Sequence, residues 1–131
     1  MMNNPGTIIS ETIDVKDFAV GNDLVFLSDF EHSFNDLFKN KVYTHNEVEY
    51  CDQFDKPLLR YASTWAAKEA VYKAVKQIHP EALAFKKIEI LRSKPAGIPT
   101  VNLPEYLGHL NISLSVSHDG DYVWAIAIIK P

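Results

Sequence analysis

The sequence predicts an α+β fold, a mostly antiparallel sheet packed on one long central helix with two short helices beside it, and three observations carry that prediction. Residues 57–77 are dominated by Ala, Leu, Lys and Glu, with neither Gly nor Pro after Pro57, as in a single long helix. Residues 18–27 and 122–129 are apolar nearly throughout and β-rich. Strands come first, then helices, then strands again, which is the order of an α+β layer.

Taken in order, residues 1–12 read as a loose lead, and 18–27 (FAVGNDLVFL) as a buried strand with Asp23 at its middle and Gly21 allowing close approach of another backbone or a ligand. Ser28-x-x-Glu31 and Thr44-x-x-Glu47 both fit the capping box, so helices are expected over 29–39 and 45–54, the first burying Phe30, Phe34, Leu37 and Phe38. Asp55 is the expected N-cap of the long helix, Pro57 suits its first turn, and Pro80 closes it. Alternation over 85–92 turns Ile88 and Ile90 inward as in a half-buried strand, and Lys94-Pro95-Ala96-Gly97 turns the chain into a partner strand over 98–103. Strands at 111–117 and 122–129 are joined through Asp119-Gly120, the strongest hairpin signal in the chain.

At 131 residues the chain is the length of one domain, and 47% hydrophobic with 23% charged residues is ordinary globular composition. A net charge of -4 gives no reason to expect nucleic acid, and no apolar run approaches the ~20 residues of a membrane span. The N-terminus lacks a basic region followed by an apolar core, so a cytoplasmic location is expected. Cys51 is the only cysteine and has no basic neighbour, which suits packing better than nucleophilic chemistry, and the five histidines show no zinc-site spacing.

The long helix is unusual in being apolar on both sides, which implies that other elements wrap it. Glu69 lies between Trp65 and Tyr72 on one of those sides, and a buried carboxylate needs a cation or a proton. Spacing alone permits two arrangements: an i,i+4 ion pair between Glu69 and Lys73, or a metal carboxylate flanked by a phosphate-binding lysine. Asp23 is subject to the same constraint in its strand.

Three separated segments carry a resemblance. Gly21-Asn22-Asp23-Leu24-Val25, Trp65-Ala66-Ala67-Lys68-Glu69-Ala70-Val71-Tyr72-Lys73-Ala74 and Ser117-His118-Asp119 match, in order, the patterns G-x-D-I/L-V, F/W-x-A/G-K-E-A-x-x-K-A/S and S-H-D/E. Phe38, Tyr43, Thr44 and Glu47, then Ile88 to Ile90, then Gly97 and Pro99, agree with the family's spacers. In these the chain resembles the 4′-phosphopantetheinyl transferases of the acyl carrier protein synthase type, over about 20–129. Thr64-Trp65 and Tyr50-Cys51 look closer to the transferase domains built into type I fatty acid synthases.

The resemblance implies a single transferase domain over 1–131 that moves the 4′-phosphopantetheine arm of coenzyme A to a serine of an apo acyl carrier protein and releases adenosine 3′,5′-bisphosphate. It implies Mg²⁺ on Asp23 and Glu69, Lys73 on the α-phosphate, Lys68 and His118 on the coenzyme, and a homotrimer with coenzyme A between subunits. Either Glu69 or a metal-bound water could deprotonate the serine. Departures accompany the match. Ser28-Asp29-Phe30-Glu31 stands where the family often has a basic residue that grips the carrier, leaving Lys39, Lys41 and Arg60 for that task. Phe26 replaces an acid three residues after the strand aspartate, and Lys76-Gln77-Ile78-His79 replaces Gly-Thr-Gly after the helix. A non-catalytic binding module, or another phosphoryl-transfer or hydrolytic enzyme on the same scaffold, is the competing reading.

Overall fold

A computed structural model describes residues 17–92 and 97–131. The expected loose lead over 1–12 lies outside the described residues, and most of the expected turn at 94–97 does too. The elements are β1 (Ala19–Phe26), α1 (Leu27–Ser33), α2 (Asp36–Val42), α3 (His45–Asp52), α4 (Pro57–Lys76), β2 (Glu89–Leu91), β3 (Thr100–Asn102), β4 (Asn111–Asp119) and β5 (Tyr122–Lys130). Short 3₁₀ turns occupy Phe85–Lys87 and Glu105–Leu107.

The architecture is the expected α+β layer. β5 lies between β1 and β4, antiparallel to both, and β2 pairs antiparallel with β3 in a separate ribbon. Alternation along the strands gives the three-stranded sheet two distinct faces. Ala19, Val25, Leu114, Val123, Ala125, Ala127 and Ile129 are buried against α4, while Val20, Leu24, Tyr122, Trp124 and Ile128 face outward and stay exposed. The hairpin at Asp119↔Tyr122 turns through Gly120, whose φ of 57° suits the first central position of a two-residue turn.

α4 is enclosed as its two apolar sides require: Ala62, Ala66, Ala67, Ala70, Val71 and Ala74 are wholly buried. The close approach expected at Gly21 is to this helix. A Cβ there would sit 2.0 Å from the Ala70 carbonyl oxygen and 2.7 Å from the Ala74 nitrogen, so only glycine lets β1 lie against α4.

Four local expectations need correction. The helix expected over 29–39 is two helices: α1 follows directly from β1 with Phe26 as its uncapped N-cap, so Ser28 lies inside the first turn and forms no box. The chain breaks at Phe34, whose ring packs 4.7 Å from that of Tyr61, and α2 restarts with Asn35 accepting from the Phe38 N–H. Leu37, placed in the buried stripe, is 77% exposed because that break turns it to solvent. The long helix has Lys56, not Asp55, at its N-cap, and no side chain caps it. Finally, Phe85–Lys87 is a 3₁₀ turn rather than strand, with Phe85 packed on Trp65 and Tyr72, although Ile88 and Ile90 are buried as expected.

Candidate active site

Asp23 projects from the middle of β1 toward α4, and Glu69 projects from α4 to meet it. Their side chains line one cleft of about 360 Å³, whose apolar walls include Val25, Phe30, Phe38 and Trp65, with Asp29 and Ser33 of α1 at its rim. Larger clefts of about 440 and 490 Å³ lie elsewhere and contain neither acid. Trp65 is held edge-on by Phe38 and Phe85, at centroid distances of 5.1 and 4.8 Å, which stiffens the wall beside Glu69.

The two carboxyl groups line the same cleft, and the electrostatics reflect that they share it. Burial first, then the charge of Asp23 and the bond to it, push the Glu69 carboxyl up to about 7, with Lys73 pulling the other way. Lys73 donates to the Asp23 Oδ1 and the Asn22 carbonyl, each at 3.0 Å. Its ion pair is therefore with Asp23, and the i,i+4 pair with Glu69 that spacing permitted is not the one formed. Lys73 is half-exposed, and with two of its three N–H groups committed its ammonium keeps one donor free.

Lys68 corrects an expectation. Placed on the coenzyme's phosphates by resemblance, it is instead wholly buried, 2.6 Å from the Glu47 Oε1. Burial pulls its pKa down while Glu47 opposes the shift. Glu47, read from the sequence only as a capping acid, completes the box with Thr44 and also accepts from the Ile90 N–H at 2.7 Å. One signal could have placed Lys68 inside: Thr64, Lys68, Val71 and Val75 share one helical stripe, and all are buried. His118 sits near the end of β4, exposed, with Val123 opposite in register. Cys51 is buried beside the Thr64 hydroxyl, and burial pushes its thiol up to about 11, in keeping with a packing role. Of the cations expected to grip a carrier, Lys39 lies 3.9 Å from Asp52 and Arg60 stacks 4.1 Å over the Phe54 ring.

Two acids from distant parts of the chain, an adjacent half-exposed lysine and a cleft with apolar walls make a site for handling phosphate charge. Among the described residues no group of three or more His, Cys, Asp or Glu side chains comes together in a way that could hold a metal ion. The model of the 4′-phosphopantetheinyl transferase superfamily matches residues 19–127, and the chain belongs to that family. Among its relatives, the holo-acyl-carrier-protein synthase of Chlamydia muridarum is 36% identical over 120 residues, covering 86% of this chain and 94% of the relative. That of Aquifex aeolicus is 39% identical over 111 residues, covering 79% and 88%. The fold superposes on the acyl carrier protein synthase and coenzyme A complex of Chronobacterium ammoniagenes with a TM-score of 0.74 at 27% identity, covering 87% of this chain and 97% of that one. The acyl carrier protein synthase of Mycobacterium tuberculosis gives 0.66 at 31% identity, with 85% and 95% covered.

Proposed function

We propose that this protein is a holo-acyl-carrier-protein synthase: it transfers the 4′-phosphopantetheine arm of coenzyme A to a serine of an apo acyl carrier protein and releases adenosine 3′,5′-bisphosphate. The observation that carries the reading is the meeting of Asp23 and Glu69 in one cleft, with Lys73 paired to Asp23, on a chain whose family match runs through all three. We read the chain as one transferase domain.

The donor chemistry fits Mg²⁺. Both side chains are hard oxygen ligands, and burial, followed by the charge of Asp23, pushes Glu69 up to about 7, a shift that a bound cation would oppose. Asp23 and Glu69 would hold the ion, which when bound supplies charge neutralisation on the diphosphate oxygens. Lys73, fixed by Asn22 and Asp23, meets the α-phosphate that leaves. The carrier's serine oxygen bonds to the β-phosphorus as the bond from that phosphorus to the bridging oxygen breaks, and the serine proton passes to the Glu69 carboxylate. His118, exposed near the end of β4, is read as a coenzyme contact on the family resemblance. Lys68 takes no part in binding, being sealed in the interior.

The exposed outer sheet face, with Leu24 at 62%, Tyr122 at 50% and Trp124 at 47% exposure, supports self-association, read as a homotrimer with coenzyme A between subunits. Among the described residues no helix is long and apolar enough to cross a membrane, and the lone, buried Cys51 suits a cytoplasmic setting.

Incubation with coenzyme A, Mg²⁺ and a panel of apo carrier proteins, followed by intact mass, tests the activity. A carrier gaining the arm is the expected result; carrier or coenzyme binding without mass gain would make the chain a non-catalytic module. Sedimentation of the wild-type chain and of Trp124→Asp tests the assembly, with a trimer expected to become monomer in the variant.

A further inference from the structure

The Tyr43-Thr44-x-x-Glu47 segment and Lys68 play no part in the transfer steps, yet they meet in the interior one residue from Glu69. Glu47 is 2% exposed and its carboxylate is tied at both oxygens: Oε1 accepts from the Thr44 N–H at 2.8 Å and from the Lys68 ammonium at 2.6 Å, and Oε2 accepts from the Ile90 N–H at 2.7 Å. Two of those partners are main chain, at the start of α3 and in β2, so the carboxylate is a fixed point rather than a mobile side-chain end. The Tyr43 hydroxyl adds a bond to the Tyr61 carbonyl of α4 at 2.8 Å. The opposite boundary of α4 is the contact of Gly21 with Ala70.

From this we infer that Glu47 and Lys68 are positioning residues for the transfer reaction: their buried pair sets the rotation of α4 about its axis and thereby holds Glu69 and Lys73 against Asp23. The inference rests on the roles proposed above for those three residues. The surfaces of α4 that meet the sheet are mostly alanine, and such contacts are non-directional, so they resist separation better than rotation. A hydrogen-bonded ion pair is directional, and apolar replacements of buried pairs are often as stable, which makes orientation the distinctive contribution of this one. With side chains reaching roughly 5 to 6 Å from a helix axis, a turn of about 10° moves a carboxylate by about 1 Å. A misplacement of that size can slow a reaction about 100-fold.

The test compares Lys68→Met and Glu47→Asp with wild type, measuring kcat and KM for coenzyme A alongside thermal unfolding. Glu47→Asp keeps both charges and shortens the tether by one methylene, so it decides the question if Lys68→Met does not fold. The expected result for a folded variant is a fall in kcat of about 10- to 100-fold with KM within about twofold of wild type. A folded Glu47→Asp protein that melts earlier but turns over at the wild-type kcat overturns the positioning role. Glu69→Gln is assayed in parallel to separate the two readings. Full activity in Glu69→Gln removes the active-site reading and the inference with it, whereas an inactive Glu69→Gln beside an unimpaired Glu47→Asp removes the positioning role alone.

Discussion

Lys68 and Glu69 are chain neighbours on one turn of α4, and their surroundings differ as a sealed ion pair differs from an acid lining a cleft. Lys68 faces a carboxylate with two backbone donors already on it, water is excluded, and no polar atom is left over. Glu69 faces a second acid in an open cleft, and the nearest cation is committed to that second acid. The first arrangement is complete as it stands; the second is short of positive charge and remains so until something arrives to supply it. Sequence position would have grouped the two residues together, since both belong to the same Lys-Glu-Ala run, but their partners and exposure differ.

The most direct way to break the comparison is to remove the acids. Asp23→Ala and Glu69→Ala are each expected to lower carrier modification by at least about 10³-fold while thermal unfolding stays cooperative, read by intact mass and circular dichroism. Undiminished turnover in either would return Glu69 to the status of Lys68. Gly21→Ala attacks the boundary between β1 and α4: with backbone at 2.0 Å from the new methyl, the strand must lift, at a cost of about 1–3 kcal/mol in stability and with slowed transfer as Asp23 moves off Glu69. Denaturant unfolding together with the transfer assay checks both effects.

Acidity sharpens the comparison further. The folded-state pKa of Glu69, about 7, lies above its ordinary value of 4.5, so between those values the folded chain binds more protons than the unfolded one. Stability of the metal-free protein should therefore decline as pH rises from about 4.5 to about 7, relative to Glu69→Gln, and Mg²⁺ should reduce the decline. Thermal melts across that range would show it, and parallel curves for the two proteins would contradict it. The smallest expected effect is at the cap: Thr44→Ala removes one half of a box whose other half is the Glu47 anchor, and should lower stability by about 1 kcal/mol with activity largely kept.

Much of the fold was legible because the signals were redundant. The long helix carried propensity, length and Pro57 at its start, and the β4 to β5 hairpin carried alternation on both sides of a glycine that does take a positive φ. The two capping boxes show where local pattern stops being enough. Thr44 forms its box because the chain arrives extended and Glu47 is held by α4 and β2 as well. Ser28 forms none because β1 runs straight into α1, with the Leu27 N–H bonded to the Asp121 carbonyl across the sheet. The acids of the candidate site were legible as misplaced charges in apolar settings, which is a local observation. The partner of Lys68 was not, because an acid already satisfied by a cap in sequence gives no sign that it also bonds 21 residues away.

The strand order also bears on when this molecule can acquire its site. β5, the last of the described strands to leave the ribosome, is the one between β1 and β4, so the sheet cannot close while the nascent chain stops short of Tyr122–Lys130. Until then β1, with Asp23 on it, has only α4 and its neighbours to lean on and exposes an unpaired edge. Pairing of such sequence-distant segments is slow relative to helix formation. The Glu47 and Lys68 junction, built from segments that emerge earlier, can form before Asp23 is locked in register, so synthesis would set the helix first and deliver the second acid to it last.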